Sequence, residues 1–358
     1  MERPATIRVV VADDSAFMRG ILRAALEKAG IEVVAVARDG DEALDCCRRL
    51  RPEVLCLDLA MPGRDGIGVL RALRDDAAAP AVVVVSAFSP ADGTRAVDVL
   101  AEGAFELVSK PSGPEGLSDF AAELERKVRL AGEAGPRTLE AVPAPVAAGQ
   151  PVAPRASGDG RAVVIACSTG GPRALARLLP ELPSPLGAGT LVVQHMPPGF
   201  TGSLAQRLDR TCALDVREAA DGDEVSPGRA LIAPGGRHLH ITADGVARLG
   251  DEPPVGGLRP RADLTIADAA ACFGERTLLV VLTGMGADGL EGAKAVRRAG
   301  GRVLVEHAST ATIHGMPRAV AEAGLADAEL PLHELPAAIA AEAGAPAAPA
   351  AAAAGVAR

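Results

Sequence analysis

Short apolar runs without polar interruption recur along this chain, and most lead into a stretch with helical periodicity. The early ones are "IRVVVAD", "EVVAVA", "VLCLDL", "AVVVVSA" and "FELVSK". Between the first two, Met18, Ile21, Leu22, Ala25 and Leu26 fall on one helical face, and Gly30 is placed to end that helix. Strands alternating with helices imply a parallel sheet covered on both faces, which restricts the fold to the doubly wound α/β class. The pattern fades near Leu130 and resumes at Arg161, so the expectation is two such domains. They are placed at residues 1–130 and 160–342.

Composition explains the break. The segment "AGEAGPRTLEAVPAPVAAGQPVAPRASGDG" is rich in Ala, Pro and Gly and poor in large apolar residues. It cannot build a core and reads as a flexible linker over 131–159. The Ala/Pro-rich tail over 343–358 reads as disordered. A net charge of -9 argues against a nucleic-acid partner. No apolar run approaches the roughly 20 residues needed to span a bilayer, so no membrane insertion is expected. The N-terminus lacks the pattern of a signal peptide. Six scattered cysteines with no C-x-x-C pair fit a reduced, cytoplasmic protein.

The strand ends carry the chemistry. In an open parallel sheet, ligands bind outside the carboxyl ends of the strands. In the first domain that edge receives Asp13 and Asp14 after strand one, Asp58 after strand three, Ser86 at the end of strand four and Lys110 after strand five. Three carboxylates converging there repel one another unless a hard cation neutralises them, and Mg²⁺ suits carboxylate oxygens. An aspartate can also accept a phosphoryl group covalently. Lys110 would then pair with the phosphate and the Ser86 hydroxyl would hydrogen-bond it. Singly, each residue reads as an ordinary polar loop residue; together, in this order, they read as a site.

The second domain opens with "RAVVIACSTGGP", in which a buried strand stops at Ser168. Gly170 and Gly171 permit a sharp turn, and Pro172 suits the first turn of a helix. A serine there lies beside backbone N–H groups that can stabilise an oxyanion. It needs a base. The next strand, "TLVVQ", leads to His195, and "TLLVVLTGMGADG" leads to Asp288. All three follow strands of one sheet, which supports a Ser-His-Asp triad of nucleophile, general base and orienting carboxylate. The plainer roles are a helix cap for Ser168, a satisfied edge histidine for His195, and for Asp288 a cap on "ADGLEGAKAVRRAG". Cys167 is a rival nucleophile, but as the last strand residue it should point away from Ser168. His238 and His240 share one strand face without an evident acidic ligand, so a metal site there is not expected. His307, His314 and His333 read as surface or packing residues.

Two resemblances sharpen these readings. Residues 6 to about 128, through "DD", "D-x-x-M-P-x-x-D-G" and "S-K-P", resemble a two-component response-regulator receiver, a flavodoxin-like fold. The resemblance implies Asp58 as phosphoacceptor and a histidine kinase as phosphodonor. Leu107 and Val108 stand where receivers often carry an aromatic. "ACSTGGP", "QHMPPGFTGSLAQRL", "LIAPGG", "LRPRADL", "LTGMGADG" and "GMPRAV" resemble the methylesterase domain of the chemotaxis protein-glutamate methylesterases, a Rossmann-like fold with a mostly parallel sheet. This implies Ser168, His195 and Asp288 as the triad. It also implies Thr169 as a group orienting His195 and the Met285 backbone N–H as an oxyanion donor. Gly256, Gly257 and Leu258 replace polar residues usual in that family. The expected activity is phosphorylation-regulated hydrolysis of glutamate methyl esters on chemoreceptors, with glutamine deamidation as a related activity and no cofactor for the hydrolysis. Two other readings share the pattern: action on a different protein ester, or a phosphorylation-controlled binding module without catalysis.

Overall fold

The computed structural model describes residues 6–74, 76, 78–87, 93–111, 113, 116–134 and 160–344. The linker expected over 131–159 therefore lies outside the described residues from 135 onward, and the tail from 345 onward. The chain divides into two compact units, Met1–Ala144 and Pro145–Arg358.

In the first unit five strands alternate with five helices: β1 (Arg8–Ala12), α1 (Ala16–Lys28), β2 (Glu32–Ala37), α2 (Gly40–Leu50), β3 (Val54–Leu57), α3 (Gly66–Leu73), β4 (Ala81–Ser86), α4 (Gly93–Ala101), β5 (Glu106–Ser109) and α5 (Leu117–Ala134). The sheet order is β2-β1-β3-β4-β5 with every pairing parallel, the flavodoxin-like arrangement. Each predicted strand is found within a residue or two. Leu22 and Leu26 of α1 are buried as the periodicity required. Helix α5 runs four residues past Leu130, to Ala134, carried by the buried Lys127, Val128 and Ala131. Polar side chains cap the early helices. Ser15 accepts the Met18 N–H of α1, Asp39 the Glu42 N–H of α2, and Asp65 the Gly68 N–H of α3.

The second unit runs β6 (Ala162–Cys167), α6 (Gly171–Leu178), β7 (Gly189–Gln194), α7 (Phe200–Asp209), β8 (Asp215–Glu218), β9 (Arg229–Ile232), β10 (His238–Ile241), β11 (Ala247–Gly250), α8 (Ala262–Phe273), β12 (Thr277–Val281), α9 (Leu290–Arg298), β13 (Arg302–Glu306), α10 (Met316–Glu322), β14 (Ala328–Leu330) and α11 (Leu335–Ala343). Seven strands form a parallel sheet in the order β14-β13-β12-β6-β7-β9-β8, and β10 and β11 pair as a separate antiparallel hairpin. This is the mostly parallel, Rossmann-like sheet expected. Its order reverses beside β6, so the carboxyl ends of β12, β6 and β7 flank a switch point, where ligands bind in such folds. Val164, Ala166, Leu191, Val193, Leu279 and Val281 pack a continuous core beneath that edge.

The helices that start at this edge are capped differently. Helices α6, α7 and α9 begin on Gly170, Gly199 and Gly289, each with φ near +90° and no side chain of its own to cap the helix. At Gly170 a Cβ would lie 2.4 Å from Thr312 Cβ, so the turn after Ser168 requires glycine twice over. Among the described residues, no helix is long and apolar enough to cross a membrane.

Candidate active site and phosphoacceptor site

In the second unit, β6 delivers Ser168 half-buried at the sheet edge. Its backbone N–H donates to the Thr283 carbonyl at 2.9 Å, and its carbonyl accepts from Gly171 at 2.7 Å. The Ser168 side chain is not a helix cap, since α6 starts on Gly170 without one. The loop after β12 comes very close: a Cβ on Gly284 would lie 2.9 Å from Ser168 Cβ and 2.3 Å from Met316 Sδ. The Thr283 hydroxyl donates to the Thr169 carbonyl at 2.8 Å, and the Thr283 N–H donates to the buried carboxylate of Glu306 at 2.8 Å. These bonds tie the serine turn to the loop that follows β12.

His195 follows β7, and its N–H donates to the Cys167 carbonyl at 3.1 Å. Gln194 braces the turn, its amide donating to the carbonyls of Ser168 and His195 at 3.0 Å each. His195 Nε2 lies 2.7 Å from Asp288 Oδ2. An ionised carboxylate only accepts, so Nε2 carries the proton in this pair and Nδ1 is the nitrogen left to act as a base. The protease template uses the two nitrogens the other way round. Among the described residues no hydrogen bond joins the Ser168 hydroxyl to His195. Such contacts often tighten only with substrate bound.

Asp288 is buried and heavily bonded. Besides His195, it accepts the N–H groups of Ala262 (2.7 Å), Asp263 (2.9 Å) and Gly289 (3.0 Å), and Arg261 Nε lies 2.8 Å from Oδ1. Burial favours its neutral form, but the bond and charge of His195 and the two α8 N–H groups outweigh burial and bring its pKa to about 2. The expected alternative role for Asp288 was a cap on α9; it caps α8 instead. Asp263, from α8, accepts the Gly289 and Gly292 N–H groups of α9 at 2.8 and 2.9 Å. Each carboxylate thus caps the other's helix, and orientation of His195 is added to the capping by Asp288.

The remaining residues divide clearly. Thr169 is buried, and no hydrogen bond joins its side chain to His195 among the described residues. Met285 is exposed between Gly284 and Gly286. Cys167 is fully buried, its thiol donating to Gln194 Oε1 at 3.1 Å, and burial pushes that thiol far above its ordinary pKa. It is not placed to be a nucleophile. His238 and His240 do share a face, with ring centroids 6.4 Å apart. Contrary to the sequence reading, acidic groups do lie near: His240 Nδ1 is 2.7 Å from Asp268 Oδ2, and its Nε2 is 3.8 Å from Glu252. They arrive from loops and α8, distant in sequence. His238 serves a structural end, accepting the Arg261 backbone N–H at 3.2 Å and lying 3.3 Å from the Pro253 carbonyl. His314, expected as a surface or packing residue, lies with Nε2 3.2 Å from Glu329 Oε1.

In the first unit, Asp13, Asp14 and Asp58 each bring one oxygen within 4.8 Å of the others. Asp13 and Asp58 are buried and Asp14 is exposed. Lys110 Nζ lies 2.7 Å from Asp13 Oδ2 and 3.1 Å from Asp58 Oδ2. Burial works against the charge of Lys110, but the two carboxylates overcome it and raise its pKa. Burial likewise pushes the Asp13 carboxyl up, in spite of Lys110. The Ser15 and Leu59 N–H groups bind the other oxygens of Asp13 and Asp58 at 2.9 Å each. Three carboxylates gathered against one ammonium fit a hard cation. Ser86 is buried at the end of β4, and its carbonyl accepts the Lys110 N–H at 2.8 Å.

The comparisons agree with this division. Residues 163–339 match the family model for CheB methylesterase, and residues 9–122 match that for the response regulator receiver domain. A protein-glutamate methylesterase/protein-glutamine glutaminase from Myxococcus xanthus is 48% identical over 333 residues, covering 91% of this chain and 95% of its own length. One from Symbiobacterium thermophilum is 45% identical, covering 95% of this chain and 97% of its own. Another, from Thermotoga maritima, is 40% identical over 336 residues, covering 92% and 96%.

Proposed function

The chain belongs to the CheB methylesterase family, with a receiver domain ahead of the esterase domain, and from that premise we propose that it hydrolyses glutamate methyl esters on chemoreceptors. The observation that carries this reading is the 2.7 Å pair between His195 Nε2 and Asp288 Oδ2 at the same sheet edge as Ser168. Ser168 Oγ attacks the ester carbonyl while His195 Nδ1 takes its proton. Asp288 holds the ring in that tautomer by accepting Nε2–H. The oxyanion forms beside the Met285 N–H. Collapse expels methanol, which receives the proton from His195. Water, deprotonated in turn by His195, then cleaves the acyl-serine and leaves a glutamate carboxylate. The same acyl chemistry on a glutamine side chain releases ammonia, so deamidation is a second activity of one site.

The first unit serves as the regulator. Asp58 takes a phosphoryl group from a histidine kinase, and Lys110 and Ser86 contact it. Asp13, Asp14 and Asp58 would hold Mg²⁺, which would supply positive charge against the phosphoryl group and the carboxylates. The division into domains at 1–130 and 160–342, joined by a linker, suits a regulator and an enzyme that fold separately. The setting is cytoplasmic, where kinase and receptor signalling regions meet.

The test is methanol release from a methylated receptor. Ser168→Ala should lower kcat by on the order of 10³ or more. Near-normal activity in Ser168→Ala, with loss in Cys167→Ala, overturns the reading.

A further inference from the structure

Arg261 occupies a position that the catalytic scheme above does not use. It precedes α8, and its guanidinium lies between the two buried carboxylates: Nε is 2.8 Å from Asp288 Oδ1, and Nη2 is 2.6 Å from Asp263 Oδ2. The residue is fixed at both ends, its N–H donating to His238 Nδ1 and its Nη1 reaching the Val255 carbonyl at 3.5 Å. Arg261 and His195 divide the Asp288 carboxylate: the guanidinium takes Oδ1, and the imidazole takes Oδ2 together with the Ala262 N–H.

We propose that Arg261 is a positioning residue that sets the charge felt by His195, so that the imidazole stays an unprotonated base to lower pH than the Asp263–Asp288 pair alone would allow. The inference rests on the esterase reading. The carboxylate of Asp288 on the imidazole, and that of Asp263 beyond Arg261, both favour its protonated form, and a protonated His195 cannot accept the serine proton. Arg261 cancels one of the two negative charges. Before the reaction the group of four carries one net negative charge; when His195 accepts the serine proton the group becomes neutral.

Other charges around the site are engaged elsewhere. On α8, Asp268 is bonded to His240; on α9, Glu291 and Lys294 pair with each other. Before α8, Arg259 donates to the carbonyls of Asp251 and Glu252. On β10, His238 holds the Arg261 N–H, and at the end of β13, Glu306 holds the Thr283 N–H. Among the described residues, the side chains of Arg261 and His195 pair with Asp288, and Asp263 reaches it through its backbone N–H.

The experiment follows two readouts in the full chain: the acid limb of kcat/KM for methanol release, and the carbon shifts of the His195 ring on titration. Arg261→Met should move both up by about one pH unit, the size expected of removing one nearby charge at an effective dielectric constant of a few tens. Asp263→Asn should move both down. Arg261→Lys keeps the charge and should keep the limb near its place while lowering kcat. A purely structural role lowers kcat in all three and leaves the limb unmoved; that result, or shifts of the same sign in Arg261→Met and Asp263→Asn, overturns the proposal. If Arg261→Met does not fold, Asp263→Asn decides alone, a downward shift supporting the proposal and an unmoved limb ending it. Ser168→Ala run alongside separates the two claims. Its undiminished activity would sink the esterase reading, while the ring titration would still report on Arg261.

Discussion

The two units place their chemistry at the same topological position and balance its charge in opposite ways. Each gathers carboxylates at the carboxyl edge of a parallel sheet. In the first unit the three carboxylates of Asp13, Asp14 and Asp58 gather around Lys110, which pairs with two of them. In the second, Asp263 and Asp288 share Arg261, accept backbone N–H groups from α8 and α9, and leave one vacancy of charge beside His195. The first edge has a deficit that a cation from solution would fill. The second has a deficit that the reaction's own proton would fill. Helix starts follow the same division. Ser15, Asp39 and Asp65 cap the early helices from within, whereas α8 and α9 are capped by carboxylates from one another's chain segments.

This contrast can be broken at several points. The largest effect should come from Asp288→Asn. Loss of the charge and of the Nε2–H tautomer should lower kcat for methanol release by about 10³–10⁴-fold, with phosphorylation of Asp58 unaffected. An activity loss under tenfold would mean that the carboxylate is a cap and nothing more. Gly284→Ala should come next. Its Cβ would meet Ser168 Cβ at 2.9 Å, so the serine must shift. A kcat loss of about 10²-fold is expected, since small misplacements cost that much. Unchanged kinetics would show that the close approach of the two loops is irrelevant to the serine. The smallest effect concerns stability. The pKa of Asp288 is depressed from 3.8 to about 2 in the folded chain. Its contribution is therefore complete above about pH 4 and is lost as pH falls toward 2. Urea denaturation at pH 5 and pH 3 should show on the order of 1 kcal/mol more acid destabilisation in the wild type than in Asp288→Asn. Equal acid sensitivity would remove the argument that these hydrogen bonds favour the ionised form.

Much of this was legible in the sequence because strand ends are legible. "AVVIACS", "TLVVQH" and the run before "TGMGADG" mark where buried strands stop, and a parallel sheet brings such ends to one edge. For that reason Ser168, His195 and Asp288 could be paired without coordinates. Arg261 and Asp263 could not. They follow no strand, and their contacts to Asp288 and Gly289 span some 25 residues through two helix starts that only packing brings together. The signal that could have found them was the charged "RPRAD" just before a helix, with no capping Ser, Thr or Asn of its own. The choice of imidazole nitrogen was equally invisible, since it depends on which side of His195 the loop after β12 arrives. Asp268 beside His240 was missed for the same reason: α8 carries it to the hairpin, and spacing along the chain says nothing of that.

The central claim is that one edge depends on an added divalent cation and the other is complete in its own residues. It can be tested in two parallel samples of the full chain. Phosphoryl incorporation is followed in the one that receives a small phosphodonor and basal methanol release from methylated receptor in the one that does not, while Mg²⁺ is withdrawn from both with a chelator and then restored. The account predicts that labelling of Asp58 disappears and returns with the metal, while basal ester hydrolysis in the absence of phosphodonor stays constant throughout. Hydrolysis that falls with the metal, or labelling that survives its removal, would contradict it.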